Sequence, residues 1–254
     1  MVNRTIATRK LALAMLVVAI AACREGKTQE PVVSTTKGGA SVSPAGTDAA
    51  RAGKSMVRVI NAVPSKHKVE LTGDDRTLFS DVLYKQVTPY VEVKDNLIAL
   101  RVLTTEENAL LADDHEMMID GIRYTALVLP DEKGGLQLKV VRDDIAPAAG
   151  KARLRVINAS PTVKNADFAI LGEKTALFQG VDFTDEAGYK DVEPGTITLD
   201  VRQSTKSVKP MILKPLHLVA GKAYTIVIVG GKGAPVEAVV FEDAITLLAS
   251  VTGS

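Results

Sequence analysis

An internal duplication constrains this chain more than any other feature. Arg58-Val59-Ile60-Asn61-Ala62 returns as Arg155-Val156-Ile157-Asn158-Ala159, 97 residues later, with Pro64 and Pro161 in the same register. Leu78-Phe79 matches Leu177-Phe178, and Tyr90-x-x-Val93 matches Tyr189-x-x-Val192, both at a spacing of 99. Gly121-x-x-Tyr124-Thr125 matches Gly221-x-x-Tyr224-Thr225 at 100. A drift from 97 to 100 needs only small insertions of the kind surface loops absorb. The period is too long for a solenoid unit and long enough for a domain with its own core. The predicted domains are 55–146 and 151–254, hinged at Ile145-Ala146-Pro147-Ala148-Ala149-Gly150.

Within each copy the periodicity is that of short strands. Arg153-Leu154-Arg155-Val156 alternates polar and apolar, the pattern of a half-buried strand. Thr196-Ile197-Thr198-Leu199-Asp200-Val201 alternates likewise after a Glu193-Pro194-Gly195 turn. Tyr224-Thr225-Ile226-Val227-Ile228-Val229 predicts a strand buried more fully, closed by Gly230-Gly231. No long stretch of helical period lies beyond residue 22. Seven or eight short strands in a copy of this length predict an all-β sandwich.

Ahead of the duplication stands a different kind of segment. Arg4, Arg9 and Lys10 precede the unbroken apolar run Leu11–Ala22, LALAMLVVAIAA, and Cys23 follows it. Twelve residues are too few to span a bilayer, which takes roughly 20. They suit the middle of a signal peptide, assigned here to 1–22. Ile20-Ala21-Ala22-Cys23 resembles the lipobox of bacterial lipoproteins. That resemblance implies a diacylglyceryl group on the Cys23 thiol and cleavage before it, so Cys23 is the expected lipid-attachment residue. An ordinary secreted protein cut at the alanines is the alternative. Residues 23–54 are dominated by Gly, Ser, Thr, Ala, Pro and charge, and are expected to form a disordered tether. Arg24 stands where an inner-membrane retention signal would carry Asp. The expected location is therefore the cell envelope: the outer membrane facing the periplasm in a Gram-negative cell, or the cell surface.

Composition removes several function classes. The full chain has 31 basic and 30 acidic residues, and loss of the signal leaves 28 against 30. No basic footprint for nucleic acid is expected from that balance. With Cys23 lipidated no thiol remains for a disulfide, so the fold must rest on its hydrophobic core. There is no Trp, and the chain has five Phe and five Tyr. Eight of those ten fall into aligned pairs, Phe79 with Phe178, Tyr84 with Phe183, Tyr90 with Tyr189 and Tyr124 with Tyr224. Aromatics kept in both copies predict packing, which leaves no typical stacking platform for carbohydrate. Charge differs between the copies: 56–144 has 11 bases and 16 acids, 151–254 has 12 and 11. Drift on solvated surfaces explains this, as does docking of the copies on each other, or on different partners, through opposite patches.

The second copy carries motifs of a known family. Leu154-Arg155-Val156-Ile157-Asn158-Ala159-Ser160-Pro161, Gly188-Tyr189, Val192-Glu193-Pro194-Gly195-Thr196 and Ala220-Gly221-Lys222-Ala223-Tyr224-Thr225 resemble the bacterial envelope family called domain of unknown function 4397. The first copy departs from the pattern at Val63 and at Lys94-Asp95-Asn96. The resemblance covers roughly 55–245 and implies tandem Ig-like/transthyretin-like antiparallel β-sandwich domains, often exported. It supplies no catalytic residue.

Nor do the residues themselves assemble one. His67, His115 and His217 are not matched between copies, and no HExxH, CxxC or glycine-rich phosphate loop is present. Asp113-Asp114-His115-Glu116 is the densest set of possible metal ligands, and it predicts a solvated acidic loop. Asn61 and Asn158 are expected to bond backbone at the end of the first strand, and Ser160 to serve a turn. No catalytic, cofactor-binding or metal residue is assigned. The expectation is a non-enzymatic lipoprotein held to membrane lipid through Cys23 and binding an envelope protein or component. A structural spacer, and a hydrolase or metal enzyme with a site built from loops, are the alternatives.

Overall fold

The structure, a computed structural model, describes residues 54–244 apart from 66–67, 75, 95–96, 106–108, 132, 144–145, 204–209 and 232. The signal segment 1–22, Cys23, the tether up to residue 53 and His67 lie outside the described residues.

The described chain is all-β. The first copy runs β1 (Ser55–Asn61), β2 (Val69–Gly73), β3 (Arg76–Val82), β4 (Val91–Val93), β5 (Leu97–Thr104), β6 (Leu110–Met117), β7 (Arg123–Pro130) and β8 (Leu136–Arg142). The second runs β9 (Ala152–Asn158), β10 (Ala166–Ile170), β11 (Ala176–Val181), β12 (Glu186–Val192), β13 (Gly195–Ile197), β14 (Leu199–Gln203), β15 (Met211–Ile212), β16 (Leu216–Leu218), β17 (Ala223–Gly231) and β18 (Ala234–Asp243). Copy 1 forms sheets β4-β1-β7-β8 and β3-β2-β5-β6; copy 2 forms β12-β9-β17-β18 and β11-β10-β14-β15, with β13-β16 as a small ribbon. Pairing is antiparallel with one exception per copy. Strand β1 runs parallel to β7, and β9 parallel to β17, with Arg58 opposite Thr125 and Arg155 opposite Thr225. The sandwiches are thus not purely antiparallel.

Two separate cores sit inside the sandwiches. Val57, Val59, Tyr124, Ala126 and Val128 face Leu71, Leu100 and Val102 in copy 1. Leu154, Val156, Tyr224, Ile226 and Ile228 face Phe168, Phe178 and Val201 in copy 2. Alternate residues of β1, β7, β9 and β17 build a third core, Ile60, Leu127 and Leu129 with Ile157, Val227 and Val229, joined by Val141 of β8, Phe241 of β18, and Ala62 and Ala159 just past β1 and β9. Because side chains alternate along a strand, this third core lies on the opposite face of β1, β7, β9 and β17. The two central sheets are therefore buried on both faces, and the copies stack as four layers. The described residues of both copies accordingly belong to one compact unit.

Stacking and strand pairing correct three sequence expectations. Arg153–Val156 is not half-buried, since Leu154, Arg155 and Val156 are all fully buried. Thr196–Val201 is not one strand: β13 pairs with β16 while β14 pairs with β10 and β15, and the chain changes partner at Thr198. Asp113–Glu116 is not a loop but the middle of β6, an edge strand paired with β5. Asp113 and His115 are on the face opposite Asp114 and Glu116. Charges on such an edge oppose pairing with another chain.

Candidate functional site

The most unusual chemistry lies between the copies. Arg58 and Arg155 sit in otherwise apolar runs, which would be untenable for lone charges. Here each arginine meets the aspartate of the other copy. The Arg58 Nη2 donates to Asp243 Oδ1, and the Arg155 Nη2 donates to Asp143 Oδ1. Crossed contacts complete the square, with Arg58 Nη2 at 3.5 Å from Asp143 Oδ2 and Arg155 Nη2 at 3.7 Å from Asp243 Oδ1. All four side chains are at most 4% exposed.

Most groups around the quartet occur twice. The Nε of Arg58 donates to Thr125 Oγ1 at 2.8 Å, and that of Arg155 to Thr225 Oγ1 at 2.7 Å. Those hydroxyls in turn donate to Asp143 and Asp243. The Tyr90 hydroxyl donates to Asp143 Oδ2 at 2.7 Å, and the Tyr189 hydroxyl to Asp243 Oδ2 at 2.8 Å. Arg58 Nη1 reaches the Glu242 carbonyl at 3.0 Å, and Arg155 Nη1 the Arg142 carbonyl at 2.8 Å. Arg58 and Arg155 lie over the Tyr90 and Tyr189 rings at 4.6 and 4.5 Å from the centroids. This is a pseudo-two-fold device built from Arg, Thr, Tyr and Asp of each copy. It breaks symmetry in two places. Phe241 covers Arg58 at 4.4 Å, where the first copy has Val141. Glu186 adds a further contact to Arg155 at 3.1 Å, where the first copy has Val87.

The electrostatics follow from this enclosure. Burial opposes the charge on both guanidiniums, but Tyr90 and then Asp143 and Asp243 outweigh it at Arg58, and Asp143 and Asp243 do so at Arg155, so both are held above their ordinary values. Burial, and then the adjacent aspartates, push the Tyr90 and Tyr189 phenols well above theirs. Such groups are fixed in one protonation state, so the cluster suits holding rather than proton transfer.

A strained turn marks the rim on each side. Lys85 and Thr184 have positive φ of 67° and 70°, unusual for side chains of these types. Their N–H groups are held by the carbonyls of Asn61 and Asn158 at 2.7 and 2.8 Å. The same turns touch the opposite copy: Lys85 Nζ pairs with Glu237 Oε1 at 2.5 Å, and the Thr184 carbonyl accepts from Lys139 Nζ at 2.9 Å. Tyr84, beside this rim, has its phenol pushed up to about 12 by burial and by Glu237. Strain that persists this way is sustained by its surroundings.

The residues singled out from sequence are dispersed. Asn61 and Asn158 are fully buried and bond backbone, to the Val82 carbonyl at 3.0 Å and the Val163 carbonyl at 2.8 Å. Ser160 donates to the Gly230 carbonyl at 3.0 Å, a loop-tying role. His115 and His217 lie on different strands, β6 and β16. The Glu116 carboxyl is raised by partial burial and by Asp114. Among the described residues no group of three or more His, Cys, Asp or Glu is placed to hold a metal ion. A cavity of about 290 Å³ opens beside β18, lined by Lys85, Ile212, Leu216, Val236, Glu237 and Val240. Another of about 650 Å³ is an open cleft at Lys54, Asp74, Arg76, Glu92 and Lys94. Neither joins a nucleophile to a base.

The quartet was partly visible in sequence. Arg58/Arg155, Thr125/Thr225 and Tyr90/Tyr189 stand in matched segments, and Asp143/Asp243 repeat at the same spacing of 100. The missed signal was a charge retained twice inside an apolar run. Within the quartet each copy contributes one arginine and one aspartate, so these four charges do not divide by sign between the copies.

No curated protein matches the chain. Among solved structures, the CS-Rosetta-determined structures of the C-terminal domain of AlgF from P. aeruginosa are similar at 25% identity over 37% of this chain and 98% of that one, with a TM-score of 0.30. A family model described as Domain of unknown function (DUF4397) matches residues 55–169 and 156–252, two stretches that begin in β1 and β9. The chain therefore belongs to the DUF4397 family, in two tandem copies.

Proposed function

We propose that the chain is a non-enzymatic envelope lipoprotein, anchored through acylated Cys23, that presents its paired sandwiches on a tether to bind an envelope protein. One observation carries this reading: the buried charges of the two copies are spent on joining them into one body. What each copy leaves for other molecules is sheet edges and end loops, surfaces that suit protein contact. The lipid anchor rests on Ile20-Ala21-Ala22-Cys23 and the basic, apolar segment before it. A single acyl chain holds only marginally, so multiple acylation of Cys23 is part of the reading.

Two experiments test it. Growth with a labelled fatty acid is expected to label the wild-type chain and not Cys23→Ser; equal labelling refutes the anchor. Crosslinking in intact cells followed by mass spectrometry is expected to recover one reproducible partner. Recovery of bulk envelope proteins alone would favour the second reading, a spacer, which the joining of two sandwiches into a single body also supports.

A further inference from the structure

We propose that the seam of the second sandwich, between β18 and the β15–β16 wall, takes up an extended segment of another protein. The segment adds to the edge of β18 and buries a large apolar side chain in the seam. This rests on the reading of the chain as a binder of an envelope protein, and names the place and chemistry of the contact.

The first copy shows how such a seam is closed. There β6 runs unbroken along β5 and lies against β8. Leu111 and Ala112 from one side, and Leu136, Leu138 and Val140 from the other, pack on the core. The second copy departs at both walls. In copy 1 the two strands advance equally between the pairs Ile98–Glu116 and Val102–Ala112. In copy 2, between Ile197–Leu216 and Val201–Met211, the outer strand carries one residue more. The wall is split there into β15 and β16 by Leu213-Lys214-Pro215, and Pro215 has no N–H to offer a ladder. On the facing wall Val236 and Ala238 stand where copy 1 has Leu136 and Leu138, in the register that matches Asp143 with Asp243. The result is the cavity of about 290 Å³, with Met211, Leu213 and Leu216 on one side and Val236, Ala238 and Val240 on the other. That is room for a large side chain, at the low end for a ligand pocket.

Beside the cavity runs an open strand edge, which selects a peptide as the occupant. Among the described residues β18 pairs with β17 alone. The Glu242 carbonyl bonds Arg58, so it points away from β17. The matched strand β8 has the same sense: Asp143 bonds β7 through its N–H, and the Arg142 carbonyl turns outward to Arg155. Backbone direction alternates along an antiparallel strand, so Val240 and Ala238 also turn their N–H and C=O to the open edge. The side chains of the same two residues line the cavity. An acyl chain would fill the cavity and leave those backbone groups unanswered, whereas an added strand answers both. Lys85, Lys214 and Glu237 also line it, two cations and one carboxylate, which favours acidic residues in the segment.

The test titrates the purified full chain against a fluorescent synthetic peptide of alternating leucine and glutamate, read by anisotropy. Saturable binding is expected. Ala238→Leu gives copy 2 the residue of copy 1 and fills the cavity, and is expected to weaken binding by about tenfold or more. Its melting temperature should equal or exceed that of wild type, which separates filling from unfolding. Should that variant fail to fold, Ile212→Lys, at a residue 51% exposed on the other wall, replaces it with the same loss expected. The same peptide N-methylated throughout keeps its side chains but has no backbone donors, and is expected to lose binding to a similar degree. Equal binding of the methylated peptide overturns the proposal, because it would mean apolar filling alone, as by a lipid. Equal binding by Ala238→Leu overturns it by placing the contact elsewhere. No binding to wild type up to about millimolar peptide overturns it outright. Crosslinking in cells that carry Ala238→Leu separates this site from the wider reading. Loss of the wild-type partner supports the site, and the same partner undiminished refutes the site while the reading stands. No specific partner in wild-type cells refutes the reading, and the proposal with it.

Discussion

Arg155→Leu removes one corner of the buried square and leaves the rest in place. The variant loses the bonds to Asp143, Thr225, Glu186 and the Arg142 carbonyl. Asp143 then keeps Thr125 and Tyr90 but has only Arg58, at 3.5 Å, as a counter-charge. Arg58 must serve two fully buried carboxylates. Breaking a buried pair in this way costs about 3–5 kcal/mol, most of it from the charge left behind. For a fold of this size each kcal/mol moves the melting temperature by ~2–4 °C, so a fall of ~6–20 °C is expected. Thermal and urea unfolding of the chain lacking residues 1–23, followed by circular dichroism, measures it. The companion variant replaces Arg58, Asp143, Arg155 and Asp243 together by apolar residues of similar volume. Without any orphaned charge it is expected to equal wild type or exceed it by up to ~4 kcal/mol. A loss below ~1 kcal/mol for Arg155→Leu would refute the reasoning, because that is the scale of a solvated pair. A four-fold variant as unstable as the single one would show that shape, not charge, dominates.

Other outcomes follow from the same geometry. Wild type is expected to unfold in one transition, whereas Arg155→Leu separates the two sandwiches into two, readable as non-coincident probes in urea. Tyr90 and Tyr189 have phenols raised above the unfolded value near 10, so their contribution to stability is fully present below about pH 10 and is lost as pH rises beyond it. Tyrosinate absorbance should show both titrating only with unfolding; ionisation in the folded state would contradict their enclosure. Gly230→Ala places a Cβ 2.0 Å from the Pro235 carbonyl oxygen at a φ of +98°, and a loss of at least ~2 kcal/mol is expected. Gly188→Ala meets nothing within 4 Å and should be neutral within ~1 kcal/mol in the same melts. Replacing Asp113 and His115 with valine strips charge from one face of edge strand β6, and light scattering should report concentration-dependent association absent from wild type.

Sequence and tertiary structure divide the account along a physical line. The duplication, the all-β class and the aromatic packing positions were legible because they are local: a repeat, a period of two, turn residues between short runs. Phe79, Phe178, Tyr124 and Tyr224 do lie in the cores that pairing implied. Asn61 and Asn158 bond backbone because a short amide at a strand end has nearby carbonyls to reach. Arg155 shows where local reading stops. Alternation says that a residue points away from one core, and cannot say whether water or another sheet lies on that side. That second layer comes from the other copy, as with Arg58 and Asp243 at a separation of 185. The acidic stretch at β6 was misplaced for a related reason, since strand pairing with β5 supplies order that Asp-rich composition argues against. By itself, then, the sequence determined a duplicated β-module behind a lipobox-like cysteine. Only the tertiary structure decided that the two modules are one body, because burial of Arg58 and Arg155 is possible only when each copy brings the other's counter-charge.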